Sequence, residues 1–474
     1  MRGIKILKNK LQSWRDKAKS RAKLIEKLRK RIIAMVVSRD MWRSRYYELK
    51  LENARLCCQL ENLGVVQATK VAHHSYTAEQ ISLCLRLRHE GRCSYRSCVL
   101  VMKIFADILN MDWPIPSHSS VYNWDVKIGY AKLEEKPTKS KEYALIMDES
   151  ISIGSEKILV ISGVDLARYD FSRPLQMEDL KILDIVVGKS WKAKDISPRI
   201  SELEKDNITF KYGCSDNAGN LRNALKDKGL AHIEDCGHAL GNLMKNKYKS
   251  DSTFKAFSEA LRKFRLRMLP SKDAEYVPPK WRNKGKYMNL WAVCNWAKKM
   301  LDLVRFYEKQ SPRIEVFTKL KWLLDYAIFI EGLYAEQQVI NRINKELKTY
   351  GLSKQTLQKS KKYIKELEDA ALRKKMIAYL DRNWKRTKDL EKVVISSDII
   401  ESTFGKFKYR VASHPQGGIT CGCLTIANYD KKVGSSEVKR FLEKVTNKEI
   451  EKWRAETIPI SIFRKKKKLF KNTG

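Results

Sequence analysis

A chain of 474 residues with 43% hydrophobic content is long enough for roughly two to four domains, each with its own core. Lysine and arginine number 95 against 55 acidic residues, a formal charge of +40, and a field of that sign attracts polyanions, nucleic acid above all. No apolar run approaches the ~18 residues of a membrane span, no secretory leader pattern opens the chain, and the ten scattered cysteines read as reduced thiols. These features set membrane and secreted classes aside and predict a cytoplasmic or nucleoid setting, nuclear in a eukaryote.

Residues 1–50 hold 17 Lys or Arg against Asp16, Glu26, Asp40 and Glu48, in residue types that favour helix. Leu49, Leu56 and Leu63 recur at seven, with Asn53 and Leu60 at the alternate seam position, about two heptads. Residues 1–64 therefore read either as a solvated basic helix or as a DNA-contacting arm leading into a short dimerisation zipper. Thr77, with Gln80 three residues on, opens a new helix through a capping box. A second helix runs Ser94–Asn110, with Val99, Met102, Ile104, Phe105 and Ile108 as its expected buried face. Pro114 and Pro116 interrupt, and Ser117 caps a third helix that displays Ser119, Ser120, Asn123, Trp124 and Lys127. Three short helices over 77–133 have the plan of a helix-turn-helix whose last helix would enter the major groove of DNA. His89, Cys93 and Cys98 lie close in sequence, as do His414, Cys421 and Cys423, but neither spacing is that of a standard zinc site. Thiols packed in helix cores are the alternative.

Glu134 to Lys141, with Pro137, reads as a linker into a sheet. In Tyr143–Ser150 (YALIMDES), Tyr143, Leu145 and Met147 alternate with Ala144, Ile146 and Asp148, so an apolar strand stops on a carboxylate. Such an acid either caps the next turn or is presented at a sheet edge to bind metal. Further strands are expected over 157–166, 182–187 and 208–214, with a short fifth over 230–233. A helix from Ser197, with Pro198 at its first position, separates the third strand from the fourth. The fourth runs into Asp216. Three antiparallel-looking strands, a helix, then a strand ending in a second Asp is the order of a ribonuclease-H-like fold, a mixed α/β class.

Asp148 in YALIMDES, Asp216 in CSDNAGN and Glu401 in DIIESTFGKFK resemble the acidic triad of DDE transposases. DNAGN followed by CGHALGNL is similar to words found in the hAT superfamily and in related families, insertion-sequence transposases among them. There an Asp or Cys, two residues, then His follows the fifth strand; Asp235 and His238 fit, although hAT chains usually carry Cys at the first place. The resemblance covers about 141–245 and 393–410. It implies a ribonuclease-H-like catalytic core (141–245 and 393–430) interrupted by an all-helical insertion (246–392), preceded by a helical DNA-binding region and followed by a basic helical tail (431–474).

It also implies an activity: cleavage and strand transfer at the ends of a mobile element, on double-stranded DNA with terminal inverted repeats, by a homodimer or higher oligomer. Asp148, Asp216 and Glu401 would hold two Mg²⁺ (or Mn²⁺) ions, with Asp148 bridging both and Asp235 and His238 in support. The insertion is expected to be helical over 252–268, 291–310, 314–334, 337–350 and 356–380. Its Trp281, Trp291 and Trp296 are either core packing or, by the resemblance, candidates to stack on a flipped base. Lys408, seven residues after Glu401 with Gly405 between, is either a surface lysine or, by the resemblance to some insertion-sequence transposases, a grip on the terminal phosphate. Arg464–Lys468 is a basic run that would bind phosphate when DNA is present. Two rivals stand beside this reading, a nuclease or resolvase of the same fold that cuts without joining, and a domesticated, non-catalytic DNA-binding protein.

Overall fold

The computed structural model describes residues 2–62, 69–149, 156–281, 285–310, 314–411, 418–430, 433–458, 460 and 469–470. Two compact units divide the chain, Met1–Thr69 and Lys70–Gly474. The first is essentially one helix, α1 (Arg2–Asn62), and every described side chain on it from Lys10 to Leu56 is exposed. No proline or glycine interrupts the run from Ile4 to Asn62, so the arm and the zipper segment form one continuous helix. Leu63 lies outside the described residues.

The second unit opens with α2 (Ala78–His89), α3 (Tyr95–Ile108) and α4 (His118–Leu133). Thr77 and Gln80 form the expected capping box, and Ser94 and Ser117 cap the next two helices through the amides of Ser97 and Ser120. Strands β1 (Lys141–Glu149), β2 (Lys157–Asp165) and β3 (Leu180–Gly188) follow, then α5 (Ala193–Glu204), β4 (Ile208–Ser215), α6 (Gly219–Asp227), β5 (Ala231–Glu234) and α7 (Cys236–Tyr248). A helical block comes next: α8 (Ser252–Met268), α9 (Leu290–Gln310), α10 (Ile314–Leu320), α11 (Ala327–Tyr350), α12 (Lys354–Ile364) and α13 (Ala370–Arg386). The chain then returns as α14 (Asp398–Val411), a 3₁₀ stretch (Cys421–Tyr429), α15 (Ser435–Lys444) and α16 (Asn447–Thr457).

Several helix boundaries differ from the sequence pattern. Helix α5 begins four residues before Ser197, which lies inside it and donates to the carbonyl of Ala193. The start is set by Asp195, whose carboxylate accepts the Lys192 amide at 2.8 Å. The expected 314–334 helix is broken by a 3₁₀ segment at Lys321–Tyr326, and α11 then runs unbroken through Tyr334–Gln337. The expected 356–380 helix is two, because Asp369 caps α13 through the Leu372 amide and also pairs with Lys247 of α7. On α3 the buried residues are Cys98, Met102 and Ala106, while Ile104, Phe105 and Ile108 are exposed. Apolar residues surround that helix, so periodicity alone could not set which face is covered.

The sheet order is β3-β2-β1-β4-β5. β1–β2 and β2–β3 pair antiparallel, whereas β4 and β5 run parallel to β1. Tyr143, Leu145 and Met147 pack on α5 and α6, while Ala144 and Ile146 face a core built with α7 and α11–α14. Both faces are covered, which is what a near-continuous apolar strand requires. Asp148 falls on the second face by alternation.

The return to the sheet is pinned by backbone bonds. Gly351, at φ +70, ends α11 and lets Leu352 bridge Val393. The Val394 amide donates to the Tyr212 hydroxyl at 2.8 Å, and the Cys236 amide donates to the Ile395 carbonyl at 3.0 Å. A second core, of Ile81, Met102, Val121 and Trp124, is closed by Val438 and Phe441 from α15. There α4 and the 3₁₀ stretch approach so closely that a Cβ on Gly129 would lie 2.1 Å from the Leu424 carbonyl oxygen. The first three helices of this unit therefore depend on the end of the chain for their core. Phe441→Ala is expected to cost about 3–5 kcal/mol, read as a fall in the chaotrope midpoint with the slope unchanged.

Candidate active site

Parallel pairing sets the first two carboxylates side by side. Ile146 is level with Cys214, so Asp148 and Asp216, two residues further along each strand, emerge at the same edge. Each is tethered by its own backbone: the Glu149 amide donates to Asp148 Oδ1 at 2.7 Å and the Ala218 amide to Asp216 Oδ1 at 3.1 Å. Asn220 of the DNAGN word reaches across to Glu149 and to the Trp191 carbonyl, locking α6 to the end of β1. Burial, the neighbouring Asp216 and, more weakly, Glu401 push the Asp148 carboxyl up to about 7, opposed by the Glu149 amide and by His238.

The third carboxylate arrives on α14, and His238 holds it. Asp235 caps α7, its Oδ1 accepting the His238 amide at 2.7 Å and the His238 Nδ1 at 3.0 Å. The far nitrogen, Nε2, lies 3.0 Å from Glu401 Oε1. Burial disfavours the imidazolium, but bonds to Asp235 and Glu401 outweigh it and raise the His238 pKa to about 11. Burial likewise works against the Asp235 carboxylate, yet His238 and Ser397 hold it below the ordinary range. Its Oδ2 accepts the Ser397 amide at 2.6 Å and the Ser397 hydroxyl at 3.2 Å. So β5, α7 and the start of α14 are joined through one buried carboxylate.

Beside this chain sits an ion pair that sequence reasoning missed. Lys348, in the last turn of α11, pairs with Asp398 at the start of α14. A Cβ on Gly237 would lie 3.4 Å from Asp398 Oδ1 and 3.6 Å from Lys348 Nζ. Asp398 was visible in the sequence three residues before Glu401, but nothing there pointed to Lys348, 50 residues away.

Carboxylate oxygens are the donors that hard divalent cations prefer. Asp148 and Asp216 fit such an ion, and the Asp148 carboxyl is raised first by burial and then by the charge of Asp216 beside it. Glu401 is instead turned to His238, and among the described residues no three His, Cys, Asp or Glu side chains converge closely enough to hold a metal. The Glu401 side chain is 44% exposed.

The remaining candidates are scattered. On α4, Ser119 and Asn123 are exposed while Ser120 and Lys127 are half-buried. Burial lowers the Lys127 pKa, opposed by Glu449. Trp124 is not displayed: it is 3% exposed, packs edge-on against Tyr76 and donates to His74 Nδ1 at 3.3 Å. Trp291 stacks on Tyr334, Trp296 packs by Phe264, and Trp281 donates to the Lys286 carbonyl at 3.1 Å. Lys408 lies over the Phe404 ring, and a Cβ at Gly405 would meet nothing within 4 Å. His89 is bound to Asp125 at 2.7 Å, and burial pushes the Cys98 thiol up to about 11, against a thiolate ligand. His414 and Arg464–Lys468 lie outside the described residues.

Two substitutions separate anchoring from crowding. Asp235→Ala, which strands His238 and the Ser397 amide, is expected to cost about 3–5 kcal/mol of stability. Asp148→Asn should do the reverse. The unfolded carboxyl ionises near its ordinary value while the folded one stays protonated up to about 7, so the native protein loses stability as pH rises through that window. At pH 8 without divalent cations the amide is expected to raise stability by up to roughly 4 kcal/mol. That gain should vanish below about pH 4, as thermal unfolding across pH would record.

No family model matches the sequence, and no curated protein matches it. Among solved structures, a chain of the Drosophila P element transposase strand transfer complex is similar at 12% identity with a TM-score of 0.42. The match covers 84% of this chain and 99% of that one. Among the described residues no helix is long and apolar enough to cross a membrane.

Proposed function

We propose that the protein is a DNA transposase of the DDE type, with a ribonuclease-H-like catalytic core, acting by divalent-metal-dependent phosphoryl transfer on the ends of a mobile element. One observation carries this reading: in a strongly basic chain Asp148 and Asp216 stand side by side at adjacent strand ends with Glu401 nearby on α14, and burial, then those acidic neighbours, hold the Asp148 carboxyl up at about 7. A cluster of that kind is unfavourable in itself, and its use is to bind positive charge.

Bound Mg²⁺ or Mn²⁺ would supply activation of the attacking oxygen and stabilisation of the leaving one. Asp148, Asp216 and Glu401 would be the ligands, with Asp148 shared between two ions. The chain's own groups do the rest. The Glu149 and Ala218 amides fix the two aspartates, so neither needs reorganising when a cation binds. His238 holds Glu401 and neutralises it, and Asp235 holds His238. Lys408 is assigned to the terminal phosphate, and Ser119, Ser120, Asn123 and Lys127 on α4 to base edges and backbone. Trp291 and Trp296, both half-buried, are assigned as candidates for stacking on a base.

The test uses plasmids carrying the DNA that flanks the gene, with a second plasmid as target. Asp148→Ala, Asp216→Ala and Glu401→Ala should each abolish Mg²⁺-dependent cleavage and leave binding intact. His238→Ala should lower the rate by about 10–100-fold, the usual effect of losing a residue that orients a ligand. Cleavage without joined product identifies a nuclease instead, and binding without cleavage identifies a silent DNA-binding protein. Salt supplies an independent check: each phosphate contact contributes about −0.9 to the slope of log affinity against log salt. A slope of roughly −6 or steeper is expected, and one near zero would remove the electrostatic support.

A further inference from the structure

Helix α1 presents an apolar surface that a solitary helix in water does not keep. Read at 3–4 spacing from Leu11 to Leu56, every seam position is apolar except Arg21, Arg39 and Asn53. The residues are in the open: Trp14 is 64% exposed, Ile32 59%, Met35 65% and Trp42 66%. The pattern therefore extends the short zipper at Leu49 and Leu56 back across the whole described helix. A heptad repeat held over that length is the signature of a supercoil and not of a surface helix.

We infer that α1 pairs with a second copy of itself as a parallel, in-register two-stranded coiled coil, and that its own basic flanks oppose this pairing until counterions or a polyanion screen them. The seam names its partner. Ile25 and Ile32 alternate with Leu28 and Met35, the branched-then-unbranched order that favours two parallel strands. Asn53 at a seam position meets an identical amide only in a parallel, in-register pair, where the two hydrogen-bond. At roughly 60–120 Å² per apolar seam residue, the eleven such residues would bury about 700–1,300 Å² on each chain, comparable to the ~800 Å² per partner of a specific interface.

The flanks push the other way. In that register Lys10 faces Arg15 of the other copy, and Arg45 faces Lys50, with Glu52 the one acid at any described flanking position. Arg21 and Arg39 face their own counterparts across the seam, the second with its guanidinium bonded to Asp40 at 2.8 Å. Like charges at these positions destabilise a coiled coil, and salt removes the penalty because screening shortens from about 10 Å at 0.1 M to about 3 Å at 1 M.

The test is sedimentation of the full-length protein without DNA, and it does not depend on the catalytic reading. The dimer is expected to tighten at least tenfold between 0.1 and 1 M KCl. Ile32→Lys, in the seam, should leave a monomer at both salts, whereas Val37→Lys, on the opposite face, should dimerise like the parent. Under mild oxidation Leu28→Cys should give a disulfide joining position 28 of the two copies, located by peptide mass spectrometry. A chain that stays monomeric at 1 M salt overturns the inference, as does a dimer indifferent to Ile32→Lys. So does a cross-link from position 28 to any other position in preference to its own counterpart.

Discussion

The second unit depends on one buried carboxylate. Asp235 follows β5, caps α7, fixes the His238 ring and accepts both the amide and the hydroxyl of Ser397. The residues it joins are separated by the whole helical block, so the position of α14 relative to the sheet is decided at this point more than at any other. A fully buried acid is costly unless its lone pairs are filled, and here four donors fill them. The Lys348–Asp398 pair and the Leu352–Val393 bridge then hold the end of α11 to the segment that leads into α14.

That anchoring permits the crowding next to it. Two aspartates at adjacent strand ends and a glutamate on a nearby helix repel one another, and a fold free to relax would move α14 away. It cannot, because α14 is tied at Ser397 and Asp398 and packed through Ile400, Phe404 and Phe407. His238 lies between Asp235 and Glu401, and it offsets part of the repulsion felt by Asp148. Stability is thus given up at one carboxylate and recovered at another, the pattern expected where a site's chemistry conflicts with the fold's preference.

Much of this was legible in the sequence where a local rule governs it. Alternation in YALIMDES gave the strand and the face of Asp148, and Thr77, Ser94 and Ser117 capped where hydroxyls precede helices. Asp235 and His238 were legible as a spaced pair. What escaped was set by tertiary contact. The start of α5 is the exception, because its deciding bond is local, from the Lys192 amide to the carboxylate of Asp195 three residues on, and it competes with the cap signal of Ser197 and Pro198. The break at Asp369 answers to Lys247, more than a hundred residues earlier. Lys348 and Asp398 read as ordinary surface charges until the helical block folds back and brings them together.

Charge is distributed unevenly between the two units, and the difference bears on what each can do. In the second unit basic side chains are repeatedly paired, Lys132 with Asp430, Arg173 with Asp179 and Lys247 with Glu336 and Asp369 among them. Such pairs are largely spent on structure and contribute little field at a distance. Over residues 1–50 four acids face 17 basic residues, and the described ion pairs there are Lys30–Glu26 and Arg39–Asp40. A linear array of cations binds a polyanion by displacing its counterions, and the same array resists being laid beside its own copy. One helix therefore meets two opposing demands, and the polyanion that satisfies the first removes the obstacle to the second.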